Sequence, residues 1–350
     1  MLTVVQGAKA RADAWQRGNR LPGVAYGVVK KFGDDRANQY VIALGWYGFV
    51  AIYPLLLAVT TILASIGAAS LGYGLVSTLH QFPVVGSEFN PAHGSSNLHG
   101  NVLALVVGLA GMIYGAQGVT QTAQAAMAQV WNVSPVDSPG FLAKLVRSLI
   151  GLAIIGGSLV VNAPLAALAT GSGTSSFVRP LLLVGMVVLN AVLYLAAFRV
   201  LSPRGVHMRQ LVPGAVLGSL GFTVLITVGS GLIQHQLRNS SATYGQFGVV
   251  VGLVGFLFLL AKISLYGAEL NTVLDRRLWP RGLVSTDPTP ADDQVLRDIV
   301  HQDVRRPDQR VGVGFGEDAS DEAARDAERD QPERTPGPAA DQPLASAHLQ

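Results

Sequence analysis

The chain has 350 residues, of which 49% are hydrophobic and only 13% are charged. Because soluble domains carry about 25% charged residues, this composition indicates a membrane protein. The chain contains no cysteine, which excludes disulfides and cysteine-ligated zinc or iron–sulfur sites.

Charge is divided unevenly along the chain. Residues 1–284 carry a net charge of +11, whereas residues 285–350 carry −8. The positive charge therefore belongs to a hydrophobic body and does not indicate nucleic-acid binding. We predict a basic cytoplasmic segment over 1–40, a transmembrane domain over 41–284 and an acidic, largely disordered cytoplasmic tail over 285–350.

The first 40 residues contain seven cations and lack the early apolar run of a cleavable signal peptide. Within them, the apolar stretch 24–29 is followed by Lys30 and Lys31. This pattern predicts a short interfacial helix that leads into the first span.

Six apolar segments follow, each long enough to cross a hydrocarbon core of about 30 Å. We predict spans over 41–67, 98–118, 142–169, 180–200, 211–233 and 247–271. Lys and Arg favour alternate connections, and the connection 68–100 has neither. The positive-inside rule then places both termini in the cytoplasm. The predicted fold is an all-α polytopic membrane protein with six transmembrane helices.

Glycines recur at helical spacing in three of these spans. They are Gly108, Gly111, Gly115 and Gly118 in the second span, Gly214, Gly218 and Gly221 in the fifth, and Gly248, Gly252 and Gly255 in the sixth. Small residues at this spacing let two helix backbones approach closely. The pattern indicates either static packing or a mobile helix pair.

The sixth span carries a lysine deep in its apolar sequence. Fourteen uncharged residues, 247–260, precede Lys262, which therefore lies roughly 8 Å short of the cytoplasmic boundary. Two interpretations remain open. The ammonium group either snorkels to the inner surface or faces an interior cavity as a functional group.

Glu269 lies two helical turns beyond Lys262 on the same face, too far for a direct pair. Tyr266 lies between them and is a candidate bridge. Alternatively, Glu269 neutralises basic residues at the inner mouth, such as Arg276. We expect Glu269 at the cytoplasmic surface. These three residues of span six, together with polar residues of spans one and two, form a candidate substrate cavity. Its members are Tyr47, Tyr53, Gln117, Lys262, Tyr266 and Glu269.

Motifs for catalysis or metal binding are absent from the sequence. The histidines of the outer connection, His80, His93 and His99, match no metal-ligand spacing. The glycines of 311–316 precede no predicted helix, as a phosphate-binding loop requires. We therefore expect no enzymatic activity, no cofactor and no metal. In the tail, residues 292–304 have the apolar spacing of a short amphipathic helix.

Several motifs together resemble those of the YihY/BrkB family of bacterial inner-membrane proteins. They are FGDDR at 32–36, ALGWYGFVAIYPLLL at 43–57, Phe82–Pro83, VWNV at 130–133, LVPGA at 211–215 and the stretch 244–271, which ends in GAELN. Where the family often has Ser-Leu-Phe-Pro, this chain has Ala-Ile-Tyr-Pro at 51–54. No role for that serine hydroxyl carries over.

The resemblance implies six spans, cytoplasmic termini and a plasma-membrane location. It also implies that Pro54, Pro213, Glu269 and Asn271 occupy recurrent family positions. Proline in mid-span frees a backbone carbonyl, which is tolerated where it lines a cavity or meets another helix. Some family members carry a ribonuclease label and others a virulence-factor label. The residues themselves offer no metal cluster that would support a ribonuclease.

Two functional hypotheses follow. In the first, the chain is a transporter or lipid-handling permease, in which Lys262 binds an anionic solute or lipid headgroup and Glu269 lies at the inner gate. In the second, the chain is a non-transporting membrane scaffold whose acidic tail recruits a cytoplasmic protein. Membrane lipids are partners in both, and nucleic acid in neither.

Overall fold

The computed structural model describes residues 2–65, 102–134, 177–240, 245–283 and 288–315, together with individual positions between 140 and 175. The regular secondary structure of these residues is entirely α-helical, which agrees with the predicted class. The chain divides into two compact units, residues 1–309 and residues 310–350.

The described residues of the first unit form eight continuous helices. They are α1 Leu2–Gly18, α2 Arg20–Asp34, α3 Ala37–Ser65, α4 Val102–Val130, α5 Val178–Leu201, α6 Met208–Ser240, α7 Gly245–Asp275 and α8 Pro290–Gln302. Further helical residues occur between 142 and 161. Five of the six predicted spans overlap a continuous helix, α3 to α7, and the predicted interfacial helix is part of α2. Much of the predicted third span lies outside the described residues.

Three of these helices are long and apolar enough to cross a membrane, judged by length and composition. Their candidate spans are Val178–Leu201 in α5, Met208–Ile226 in α6 and Val251–Asp275 in α7. Helices α3 and α4 contain 29 residues each, about 44 Å at 1.5 Å per residue. The described part of the chain is therefore an all-helical membrane fold.

Helix α7 is the centre of the packing. It lies along α3 and α6 and also contacts α2, while α3 packs along α4 and α6 packs along α5. The helix that carries Lys262 and Glu269 thus contacts α2 and α3 from the beginning of the sequence as well as the preceding helix α6.

The basic connections of the chain meet at one end of the helices, which we call the basic end. Hydrogen bonds join residues of different connections there. They run from Lys31 to the Val130 carbonyl (2.9 Å), from Arg147 to the Ser202 carbonyl (3.3 Å), from Gln210 to Asp275 (2.8 Å) and from Arg276 to the Trp131 carbonyl (2.7 Å). Except for Arg147, which lies near the start of the predicted third span, each of these residues lies in a predicted cytoplasmic region.

Helices α6 and α7 touch backbone to backbone just after a proline. Pro213 lies inside α6 and has no N–H group to donate. The next amide, of Gly214, donates to Asn271 Oδ1 at 2.6 Å. A Cβ atom on Gly214 would lie 2.0 Å from the carbonyl oxygen of Gly267. The sequences LVPGA and GAELN are therefore the two sides of one helix crossing.

The predicted glycine faces differ in their packing. Added Cβ atoms on Gly218 and Gly221 of α6 would overlap Tyr194 and Ile263. At Gly252 and Gly255 of α7, no atom of the described residues outside the adjoining helix backbone lies within 4 Å of that position. Static close packing therefore describes the glycines of α6, and the two of α7 face open space.

Alanine at Gly214 is expected to lower the free energy of unfolding by roughly 1–3 kcal/mol, because its Cβ would overlap backbone and force α6 from α7. Chemical unfolding in mixed micelles measures this change. Gly252→Ala is the matched control, since its Cβ would enter open space, and we expect it to be neutral or stabilising by about 0.5–1 kcal/mol. Equal stability of the two variants would contradict the described crossing.

The helix predicted in the tail is α8, and its start is encoded locally. Thr289 is the N-cap and forms a capping box with Asp292, and Pro290 occupies the first turn. Val295 is fully buried with Val24, Val273 and Leu278. The first compact unit therefore runs to Gln309, beyond the predicted boundary at residue 285. The reason is that the apolar face of α8 packs against buried residues of α2 and α7. Residues 316–350 of the predicted tail lie outside the described residues.

Candidate functional site

Three charged side chains are buried together at the basic end. Lys31 and Glu269 are 0% exposed and Asp35 is 1% exposed. Lys31 belongs to α2, Asp35 follows its last residue, and Glu269 belongs to α7. We call these three residues the buried charge cluster. A buried charge is costly unless it is paired and hydrogen-bonded, so their contacts decide whether the arrangement is stable.

Lys31 lies at the centre of the cluster. Its ammonium group pairs with Asp35 Oδ2, one helical turn away, and donates to the Val130 carbonyl oxygen at 2.9 Å. The same nitrogen lies 3.3 Å from Glu269 Oε2. A lysine has three protons to donate, and three acceptors surround this one. Lys31 therefore ties the end of α2 to both α4 and α7.

The carboxylates are less completely satisfied than the lysine. Among the described residues, no hydrogen-bond donor reaches Asp35 Oδ1 or Glu269 Oε1, and Glu269 Oε2 has only its ion pair with Lys31. Burial raises the pKa of Asp35, and the ammonium of Lys31 offsets only part of that increase. Two carboxyl groups share one cation, so the cluster is electrically neutral only when it holds one additional proton. This chemistry suits a site that binds or releases a proton.

An apolar layer separates the cluster from the rest of the helices. Phe32 and Tyr266 stack with ring centroids 4.4 Å apart and an interplanar angle of 27°. Val41, Ala126 and Leu265 are buried in the same layer. The low polarity of this surrounding strengthens the electrostatic interactions within the cluster.

The predicted cavity residues do not all converge. Tyr47 packs against Gly118 of α4 and meets Tyr114 edge to face, with centroids 6.2 Å apart. Gln117 is half-buried beside this contact. Lys262 is half-buried in α7, and no hydrogen bond or ion pair links it to another described residue. Of this set, Glu269 belongs to the buried charge cluster, and Tyr266 stacks on Phe32, the residue that follows Lys31. The side chains of Tyr53 and Pro54 lie outside the described residues.

The expectation for Glu269 was wrong in one respect, because its carboxylate is buried and not at the surface. Glu269 does pair with a basic residue of the basic end, as one of the two predicted alternatives stated, but that residue is Lys31 and not the suggested Arg276. Arg276 instead pairs with Asp298 of α8 at 2.8 Å. The physical reason is that α2 packs against α7 and covers Glu269, a contact that the periodicity of α7 does not encode. The one local signal for Lys31 was its spacing of four residues from Asp35.

A second network, the α8 clamp, holds α8 in place. Asp292 accepts hydrogen bonds from Lys30 (2.7 Å), from Arg281 (2.5 Å) and from the backbone amides of Gly282 and Thr289 (2.9 Å each). Arg281 is 2% exposed and also pairs with Asp34 at 2.7 Å. Burial alone would raise the pKa of Asp292, but these hydrogen bonds outweigh it and hold the pKa below its usual range.

Comparison with known proteins agrees with this architecture. The model of the family described as Virulence factor BrkB matches residues 28–288, a range that contains the buried charge cluster and the α6–α7 crossing. The chain belongs to the BrkB family. The match ends at residue 288, so α8 of this BrkB-family chain begins beyond it.

Two curated relatives are similar to this BrkB-family chain. Inner membrane protein YhjD of Escherichia coli K12 is 25% identical over 305 residues, covering 77% of this chain and 86% of the relative. The ribonuclease-like protein YfkH of Bacillus subtilis 168 is 31% identical over 100 residues, covering 29% of this chain and 34% of the relative. No solved structure matches the chain.

Proposed function

We propose that the chain is a permease of the bacterial inner membrane, with six spans and both termini in the cytoplasm. In this proposal the buried charge cluster closes the cytoplasmic end of the permeation path. The observation that carries it is the complete burial of Lys31, Asp35 and Glu269 at the junction of α2, α4 and α7. Ionisable groups buried in membrane proteins mark solute paths and proton relays.

The energetics of the cluster suit a gate. Desolvation of a buried ion pair cancels most of the attraction between its charges. A proton or a solute that neutralises Glu269 therefore separates it from Lys31 at little net cost, while Lys31 keeps its pair with Asp35. This separation breaks the link of Lys31 to α7, so one chemical event loosens α2 from the central helix.

The topology and the location of the chain have one support each. The basic connections meet at one end of the described helices, through the hydrogen bonds of the basic end, as the positive-inside rule requires for a cytoplasmic face. The location is supported by the similarity to YhjD, which is named an inner membrane protein.

The transported species is proposed to be a small solute or a lipid. Tyr47, Gln117 and Lys262 lie on α3, α4 and α7, where α3 packs against both of the others. Lys262 is the residue of this set that would bind an anionic group. Tyr53 belongs to α3 as well, and we include it in the proposed path.

The absence of cysteine permits a direct test, because a single introduced cysteine is the only thiol. Lys262→Cys and Gln117→Cys are expected to react with a small, charged thiosulfonate added to inside-out vesicles, since a permeation path contains water. Adding Glu269→Gln is expected to accelerate both reactions by opening the gate. Val188→Cys in α5 is the control, because Val188 is 58% exposed on an apolar span and should face lipid. Reaction of the two path positions no faster than Val188→Cys would refute the permease.

The scaffold hypothesis has one observation in its favour, the separate unit 310–350, in which acidic residues outnumber Arg. Truncation after Gln309 retains every residue of the buried charge cluster and the α8 clamp. If this truncation abolishes the cellular phenotype of the chain while Glu269→Gln leaves it intact, the scaffold replaces the permease.

A further inference from the structure

Three arginines gather at the basic end, away from the buried charge cluster. Arg147 donates from Nη1 to the carbonyl oxygen of Ser202 at 3.3 Å. Ser202 directly follows α5 and lies between Arg199, in the last turn of that helix, and Arg204. Arg199 and Arg204 are exposed, and Arg147 is half-buried. The hydrogen bond to Ser202 places the Arg147 guanidinium group beside the turn that carries Arg199 and Arg204, so three cations share one helix end.

These cations are not neutralised within the described part of the chain. The ion pairs there involve other cations, notably Lys31, Arg276 and Arg281, and none includes Arg147, Arg199 or Arg204. Three neighbouring cations repel one another unless an anion lies between them. The arrangement therefore favours binding of an external anion.

A shallow, open apolar groove begins at Arg147, one of these three arginines. Gly140, Leu142, Ala143, Val146 and Arg147 line it. Leu142 is 73% exposed and Val146 is 52% exposed. The exposed apolar strip continues along the same helical segment through Leu149 and Ile150. An anion that binds here would have a hydrocarbon-like surface directly beside it.

We propose that this surface, the arginine groove, binds an anionic phospholipid of the surrounding bilayer. The phosphate of the headgroup lies among Arg147, Arg199 and Arg204, and an acyl chain lies on Leu142 and Val146. Guanidinium groups bind phosphate oxygens through paired hydrogen bonds, and basic pockets beside membrane helices bind anionic headgroups. The combination of phosphate chemistry and an adjoining apolar groove selects a phospholipid over free phosphate. This site is independent of the proposed permeation path.

Native mass spectrometry of the purified full-length chain tests the proposal. Phosphatidylglycerol is compared with phosphatidylcholine of the same acyl chains and with inorganic phosphate. The wild-type chain is expected to bind phosphatidylglycerol in preference to phosphatidylcholine. Glutamine at Arg147, Arg199 and Arg204 together is expected to weaken phosphatidylglycerol binding roughly fivefold for each arginine removed.

The matched control is glutamine at Arg305, Arg306 and Arg310. It removes the same charge from exposed positions and should leave lipid binding unchanged. The double variant Arg199→Gln/Arg204→Gln preserves the Arg147–Ser202 hydrogen bond, so it separates binding from folding, and we expect a roughly 25-fold loss from it. Wild-type binding by the double variant, equal binding of the two lipids, or an equal loss in the control triple variant would overturn the proposal. Displacement of the lipid by millimolar inorganic phosphate would identify free phosphate as the ligand instead.

Discussion

Lys31→Met is expected to destabilise the folded chain by about 3–5 kcal/mol, because it leaves Asp35 and Glu269 buried without their cation. Methionine retains much of the aliphatic length of lysine, so the change removes the charge and little packing. Thermal or chemical unfolding in mixed micelles measures the loss.

The companion variant replaces all three charges, as Lys31→Met, Asp35→Asn and Glu269→Gln. Since no uncompensated charge remains, this triple variant should recover much of the stability that Lys31→Met loses. In the proposed gate it should nevertheless react as an open path in the thiol assay. Wild-type stability of Lys31→Met would mean that the carboxylates do not depend on Lys31, and the cluster would lose its central element.

Asp292→Ala is expected to release α8 from α2 and α7 at a cost of about 3–5 kcal/mol, because Arg281 and Lys30 lose a shared partner in a buried setting. Limited trypsin digestion measures the release as faster cleavage after Arg297, an exposed residue of α8. Asp293→Ala is the matched control, since the adjacent carboxylate takes no part in the clamp. We expect it to cost at most about 1 kcal/mol, through the helix dipole.

Acid should have the same effect as the mutation. The pKa of Asp292 is lowered in the folded state, so its contribution to stability is complete above the unfolded value of about 3.9 and is lost as the pH falls below it. Cleavage of α8 beside the exposed Leu296 by an acid-active aspartic protease, present at the low pH itself, should therefore rise in the wild-type chain and change little in Asp292→Ala. If acidification affects both chains equally, another group holds α8.

The membrane helices were predictable because each is specified by its own sequence. Apolar length alone marks α5, α6 and α7 as candidate spans, since no neighbour is needed to make a long apolar segment insert. The capping residues of α8 are likewise local. The contact between Gly214 and Asn271 was partly visible, because proline next to glycine in one span and asparagine in another both required a structural explanation.

The cluster itself was not predictable, because burial is a property of neighbours. Lys31 follows an apolar stretch, a position that indicates a residue at the water interface. Glu269 lies near the end of a predicted span, which indicates a residue at the membrane surface. Each interpretation considers one residue by itself, without the contact between the two. Only the packing of α2 against α7 converts two surface charges into a buried pair. The extent of the first unit beyond residue 285 has the same origin, since α8 needs the surface of α2 and α7 to bury Val295.

The α8 clamp has a consequence for the order in which the chain acquires its structure during synthesis. Gln16 and Lys30 bind partners that lie 265 and 262 residues later, Arg281 and Asp292 respectively. The ribosome therefore delivers α1 and α2 first, but their polar partners emerge only after every span has been made. Until then α1 and α2 lack these two hydrogen bonds, although α2 can already contact α3 and α4. A chain that stops before residue 281 contains neither partner, so these contacts of the amino-terminal helices form late in synthesis.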